Sequence, residues 1–145
     1  MKYQLIVYLL VITTFAGCKS SIEKEIARKA SDCDDENCKI KITDFTDFQW
    51  DKMYIFNYAV PSDEVDQAIG VEYGNYEEFT RPWVFVKNNK IVYAENNPYD
   101  IETIVDREVV FDGPDSLRFM VYTPKKAIFR VKKKTSDRKN YYLLY

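Results

Sequence analysis

Trp83-Val84-Phe85-Val86-Lys87-Asn88-Asn89-Lys90-Ile91-Val92-Tyr93-Ala94 is the stretch that decides the fold. Two apolar runs, Trp83 to Val86 and Lys90 to Ala94, flank an Asn-Asn pair. Asparagine tolerates the positive φ that a two-residue hairpin turn demands, so the stretch predicts two antiparallel strands joined by a tight turn.

Working outward, Gln49 to Tyr58 predicts another strand, with Met53 and Ile55 on one face and Trp50, Tyr54, Phe56 and Tyr58 mostly on the other. Apolar residues on both faces predict cover on both sides. Pro61-Ser62 opens a short helix to Ile69, with Ser62 at the N-cap, Asp63 and Glu64 in the first turn and Gly70 beyond the end. Lys39 to Thr43 alternates as a half-buried strand does. Pro98 to Val105 predicts a further short helix, and Val109–Phe111, Leu117–Tyr122, Ala127–Lys132 and Tyr141–Tyr145 predict strands. The expected fold is one α+β domain, an antiparallel sheet of about five to seven strands with one or two short helices, spanning residues 32–145. The 12 Tyr and 9 Phe fit that reading, because aromatic side chains favour pleated surfaces.

At the other end, Lys2 precedes an apolar run of 11 residues from Leu5 to Phe15, then Ala16-Gly17 and Cys18. A positive start, an apolar core and small residues at a cleavage point describe a secretory signal peptide over residues 1–17. A spanning helix needs about 20 apolar residues, more than this run holds before Lys19 and Glu23. The small pair ahead of Cys18 resembles the lipobox of bacterial lipoproteins. That resemblance implies cleavage before Cys18, acylation of Cys18 with chains that include palmitate, and residence in the cell envelope as a membrane-anchored protein. The Lys19-Ser20 pair lacks the aspartate that retains some lipoproteins at the inner membrane, so the outer membrane of a Gram-negative bacterium is favoured. Residues 18–31 are then either a lipid-anchored tether or a short amphipathic helix, since Ile22, Ile26 and Ala30 fall four apart.

With Cys18 lipidated, Cys33 and Cys38 remain, and an even cysteine count in an exported chain implies a disulfide. Their C-x4-C spacing and the intervening Asp34, Asp35 and Glu36 speak against a redox pair, because nearby negative charge disfavours a thiolate. The same acids lack the glycine and distant glutamate of a calcium loop, so they read as a solvated loop and no metal is expected. The chain contains no histidine, which excludes Ser-His-Asp and Cys-His nucleophilic sites and His-ligated zinc. No cofactor and no catalytic residue is expected.

Charge is divided along the chain. Residues 32–80 hold 13 acidic and 3 basic side chains, whereas residues 125–139 hold 8 basic and one acidic. Lys132, Lys133 and Lys134 belong to the second cluster and are candidate binding residues, for anionic headgroups or an acidic protein, against a plainer role as a strand's solvent face. Nucleic acid is not expected as a partner, because without residues 1–17 the chain carries 20 cations against 23 acids and an export signal precedes it. Trp50, Asp51 and Lys52 are the other binding candidates. The run Phe48 to Phe56, with the helix ending at Gly70, resembles a pattern in small uncharacterised exported bacterial proteins.

Together these features point to a non-enzymatic, lipid-anchored envelope protein that works by protein–protein contact, an immunity or inhibitor protein being one concrete version. A small-ligand module or weak hydrolase is the alternative. A deep pocket lined by Trp50, Trp83 and tyrosines would favour it, and a filled core holding those residues would end it.

Overall fold

The computed structural model describes residues 20–33, 37–114 and 116–145. The expected signal peptide, Cys18 and the acids 34–36 lie outside the described residues. In chain order the elements are helix α1 (Ile22–Ser31), strand β1 (Lys39–Lys41), a 3-10 turn (Ile42–Phe45), β2 (Lys52–Ile55), helix α2 (Ser62–Ile69), β3 (Thr80–Lys87), β4 (Lys90–Pro98), β5 (Glu108–Phe111), β6 (Met120–Tyr122), β7 (Ile128–Ser136) and β8 (Lys139–Leu144).

The Asn88-Asn89 turn forms as the sequence predicts, with φ of 49° and 58° at the two asparagines. It joins β3 to β4 in register Trp83 to Glu95 and Phe85 to Tyr93. The chain is α+β and one domain, but its eight described strands divide into two sheets of four. The first sheet runs β1-β7-β8-β5 and the second β4-β3-β2-β6. All described neighbours are antiparallel except β5 and β8, which are parallel. One sheet of five to seven strands does not form because β3 and β2 are apolar on both faces. Such strands need a layer on each side.

The layers supply that cover. One face of the second sheet presents Met53, Ile55, Trp83 and Phe85 to the first sheet and α1, forming a core with Ile26, Ile40, Val109, Phe111 and Leu144. Trp83 meets Phe111 edge-on at 5.2 Å, and Phe111 meets Phe129 likewise at 5.0 Å. The opposite face presents Tyr54, Phe56, Val84 and Val86 to α2, whose Val65 and Ile69 complete a second core. The molecule is therefore stacked as α2, second sheet, then first sheet with α1 on its inner side.

Several boundaries move. Helix α2 ends at Gly70 in the left-handed region, φ 77°, with its N–H returned to the Asp66 carbonyl. Its N-cap is Pro61 rather than Ser62, which is the first helical residue. The helix expected over 98–105 is absent: Pro98 closes β4, and irregular chain follows to Arg107. Residues 22–31 are the helix of the two alternatives, and Ile22, Ile26, Ala27 and Ala30 are buried in the main core.

Candidate functional site

Alternation along β3 puts Arg81 on the same face as Trp83 and Phe85, so the strand aims a guanidinium into the space between the sheets. Across from it, β4 presents Tyr93, Glu95 and Asn97 on that inner face. Helix α1 ends here. Glu95 Oε2 accepts from the Ile22 N–H at 2.7 Å and Oε1 from the Glu23 N–H at 2.9 Å. A carboxylate thus satisfies two donors that a helix N-terminus leaves open, where the helix dipole also favours negative charge. Glu95 also accepts from the Tyr93 hydroxyl at 2.7 Å and from the Asn97 amide Nδ2 at 3.1 Å. Burial, then the neighbouring Glu95 carboxylate, pushes the Tyr93 phenol well above its ordinary range.

Arg81 is 0 % exposed and every arm is taken. Its Nη2 donates to Glu23 Oε1 at 2.7 Å, Nη1 to the Val109 carbonyl at 3.2 Å and Nε to the Pro98 carbonyl at 3.0 Å. Glu108 Oε1 lies 3.2 Å from Nε. Glu23 also accepts from the Val109 N–H at 2.9 Å. Two buried carboxylates, Glu23 and Glu108, therefore flank one guanidinium, while the third, Glu95, is held by the α1 N–H groups, Tyr93 and Asn97. Burial pushes the Glu23 carboxyl above the usual glutamate value, and the opposing charge of Arg81 offsets only part of that. Beside this network lies a cleft of ≈ 440 Å³, bordered by Ser20, Lys24, Arg28, Val105 and Arg107. The network fastens α1 to both sheets. With the Arg81 donors occupied, it has no arm left to hold a substrate.

The first sheet carries a second candidate on its outer face. Strands β1, β7 and β8 contain Lys39, Lys41, Arg130, Lys132, Lys133, Lys134 and Lys139 and no acidic residue. Register places Lys39 beside Arg130 and Lys134 beside Tyr141. Phe129 and Val131 turn inward and are buried, leaving Arg130 and Lys132 exposed on the open side. Lys133 alternates to the other side, in register with Tyr142, and is exposed near the sheet's end. Ile128, 48 % exposed, and Tyr145, 46 % exposed, lie among the cations.

The remaining candidates scatter. Trp50 is buried and packs edge-on against Phe85 at 5.3 Å, with its indole N–H donating to Thr46. It joins the face of Met53 and Ile55, opposite to the expected one, because it precedes β2 and escapes strand alternation. Trp83 is also fully buried, and the two share a filled core rather than a ligand pocket. Asp51 accepts from the Asn88 N–H at 2.8 Å and so braces the hairpin turn. Lys52 is exposed at the start of β2. Cys33 and Cys38 are bridged, Cα to Cα 5.8 Å, between α1 and β1. Among the described residues no group of three His, Cys, Asp or Glu is placed to hold a metal ion.

Two features escape the sequence reading. The Arg81 network is one, although the alternation of Arg81 with Trp83 and Phe85 was a usable signal. The other is Phe79, 80 % exposed at φ 61° beside Glu77 and Glu78. A bulky residue in the left-handed region is strained, and such strain concentrates at contact sites. No known protein family, curated protein or solved structure matches the chain.

Proposed function

We propose that the chain is a lipid-anchored envelope protein, held through Cys18 and working by contact with a protein partner of basic character rather than by catalysis. The observation that carries this reading is Phe79, exposed at 80 % and held at φ 61° in an acidic surround. Asp63 and Glu64 on α2, with Glu72, Glu77 and Glu78 after it, line the same outer layer. An aromatic anchor ringed by like charges suits recognition of a basic surface with an apolar recess. Two further features support a binder over an enzyme: both tryptophans are spent in the core, and each nitrogen of the buried Arg81 already has an acceptor within the protein.

The test is a photoreactive side chain at position 79 of the full chain in its own membrane, with the same group at exposed Ile101 as reference. A discrete protein adduct is expected at 79 and not at 101. It should weaken at high salt and disappear in a Glu77→Lys, Glu78→Lys variant. No adduct, or one indifferent to both salt and charge reversal, overturns the reading.

A further inference from the structure

We infer that the open face of β1, β7 and β8 lies flat against anionic lipid headgroups of the membrane that holds the chain, an inference that rests in part on the Cys18 anchor proposed above. Seven cations and no acid occupy these three adjacent strands, although the whole chain is net negative. Outward positions alternate cations with apolar groups: Ile128, Arg130, Lys132 and Lys134 along β7, then Tyr141, Leu143 and Tyr145 on the neighbouring strand and its end. Lysine and arginine stems lie along apolar surface while their charges reach headgroups, and tyrosine sits well at that depth. The β1–β7 part of the face is exposed at Ile128, Arg130 and Lys132, whereas Tyr141 and Leu143 border a cleft with Ile104, Pro114 and Leu117.

Helix α1 begins at Ile22 and is pinned by Glu95, leaving Cys18, Lys19 and Ser20 as the link, at most about 11 Å long. So short a link keeps the domain on the bilayer, and the side beside Ser20 must meet it. Ser20 borders the same cleft as Arg107. The Arg107 N–H donates to the Asn140 carbonyl at 2.6 Å, so the cleft adjoins the β7–β8 turn that carries Arg138 and Lys139. The β7–β8 end of the cationic face lies beside this cleft, whose rim carries Glu25 and Asp106 as well as Lys24, Arg28 and Arg107. Seating the cationic face on lipid directs α2, on the opposite outer layer, away from the bilayer.

The experiment reconstitutes the full chain in vesicles of phosphatidylcholine alone or with about one third phosphatidylglycerol. A membrane-impermeant acylating reagent then labels amines, and rates at Lys39, Lys41, Lys132 and Lys134 are read relative to Lys90 at the hairpin tip. The relative rates should fall roughly five-fold or more in the anionic vesicles, since each seated cation contributes about that factor. Roughly 0.5 M salt should restore them through screening. A Lys132→Glu, Lys134→Glu variant should lose the protection at Lys39 and Lys41. Equal relative rates in both vesicles overturn the inference, and so does protection seen only in native membranes, which would assign the face to a protein. Intact mass of the same sample reads the acyl chains on Cys18. Acylation with unprotected lysines sinks the face and leaves the anchor standing, whereas protection without acylation does the reverse.

Discussion

The two helices are built on opposite plans. Helix α2 is bounded by its own neighbours, Pro61 in front and a left-handed Gly70 behind, and its Val65 and Ile69 meet the outer side of the second sheet. Helix α1 has a modest local cap, Ser21 accepting from the Lys24 N–H at 3.3 Å, and takes its main N-terminal acceptor from Glu95, more than seventy positions away. One helix can be specified before the rest of the chain is in place. The other acquires its end only when β3, β4 and β5 have been assembled around Arg81. The comparison teaches that a buried charged cluster can act as a register device, fixing where the N-terminal helix sits.

The difference can be broken first at Arg81. Arg81→Met strands two buried carboxylates, Glu23 and Glu108, and should cost about 4 kcal/mol, read as a lowered urea midpoint. Glu95→Ala leaves the Ile22 and Glu23 N–H groups, Tyr93 and Asn97 without their acceptor. It should cost about 3 kcal/mol, with hydrogen exchange rising in α1 before it rises in α2. Gly70→Ala touches α2 alone. The added Cβ meets nothing within 4 Å, so only the left-handed φ opposes it, at about 1 kcal/mol. A larger loss there would mean that α2 depends on distant contacts as α1 does.

Glu23→Gln should move stability at neutral pH least, by about 1 kcal/mol or less, because lost attraction to Arg81 is offset by relieved desolvation. Its signature is a slope. The folded chain holds the Glu23 proton to higher pH than the unfolded chain, whose value is near 4.5. Folded protein therefore binds more protons between that value and the raised one, and stability falls as pH rises through the window. Denaturation midpoints across it should show this component in the native chain and lack it in Glu23→Gln.

What was legible in the sequence was local. Asn88-Asn89 announced its own turn, Gly70 its own helix end, and the alternation of Ile128 to Lys132 its exposed and buried sides. The strand count erred for a nearby reason: the two-faced apolar pattern of β2 was recognised, yet the layers it required were not assigned to a second sheet. The Arg81 network was hidden because Glu23 lies 58 positions from Arg81 and 86 from Val109, so no apolar period connects them. Phe79 was hidden in another way. Residues 71–80 read as an exposed acidic loop, but nothing in their composition marks the left-handed backbone at Phe79.

Strand β8 has a temporal consequence. It is an interior strand of the first sheet, hydrogen-bonded to β7 on one side and to β5 on the other, and it contains residues 139 to 144. A chain emerging N-terminus first can close the β3–β4 hairpin early, but β5 and β7 find no common neighbour until Leu144 arrives. Pairing at such long separation is slow to nucleate. The first sheet consequently cannot close until residues 139 to 144 are available, whereas the second sheet does not wait for them.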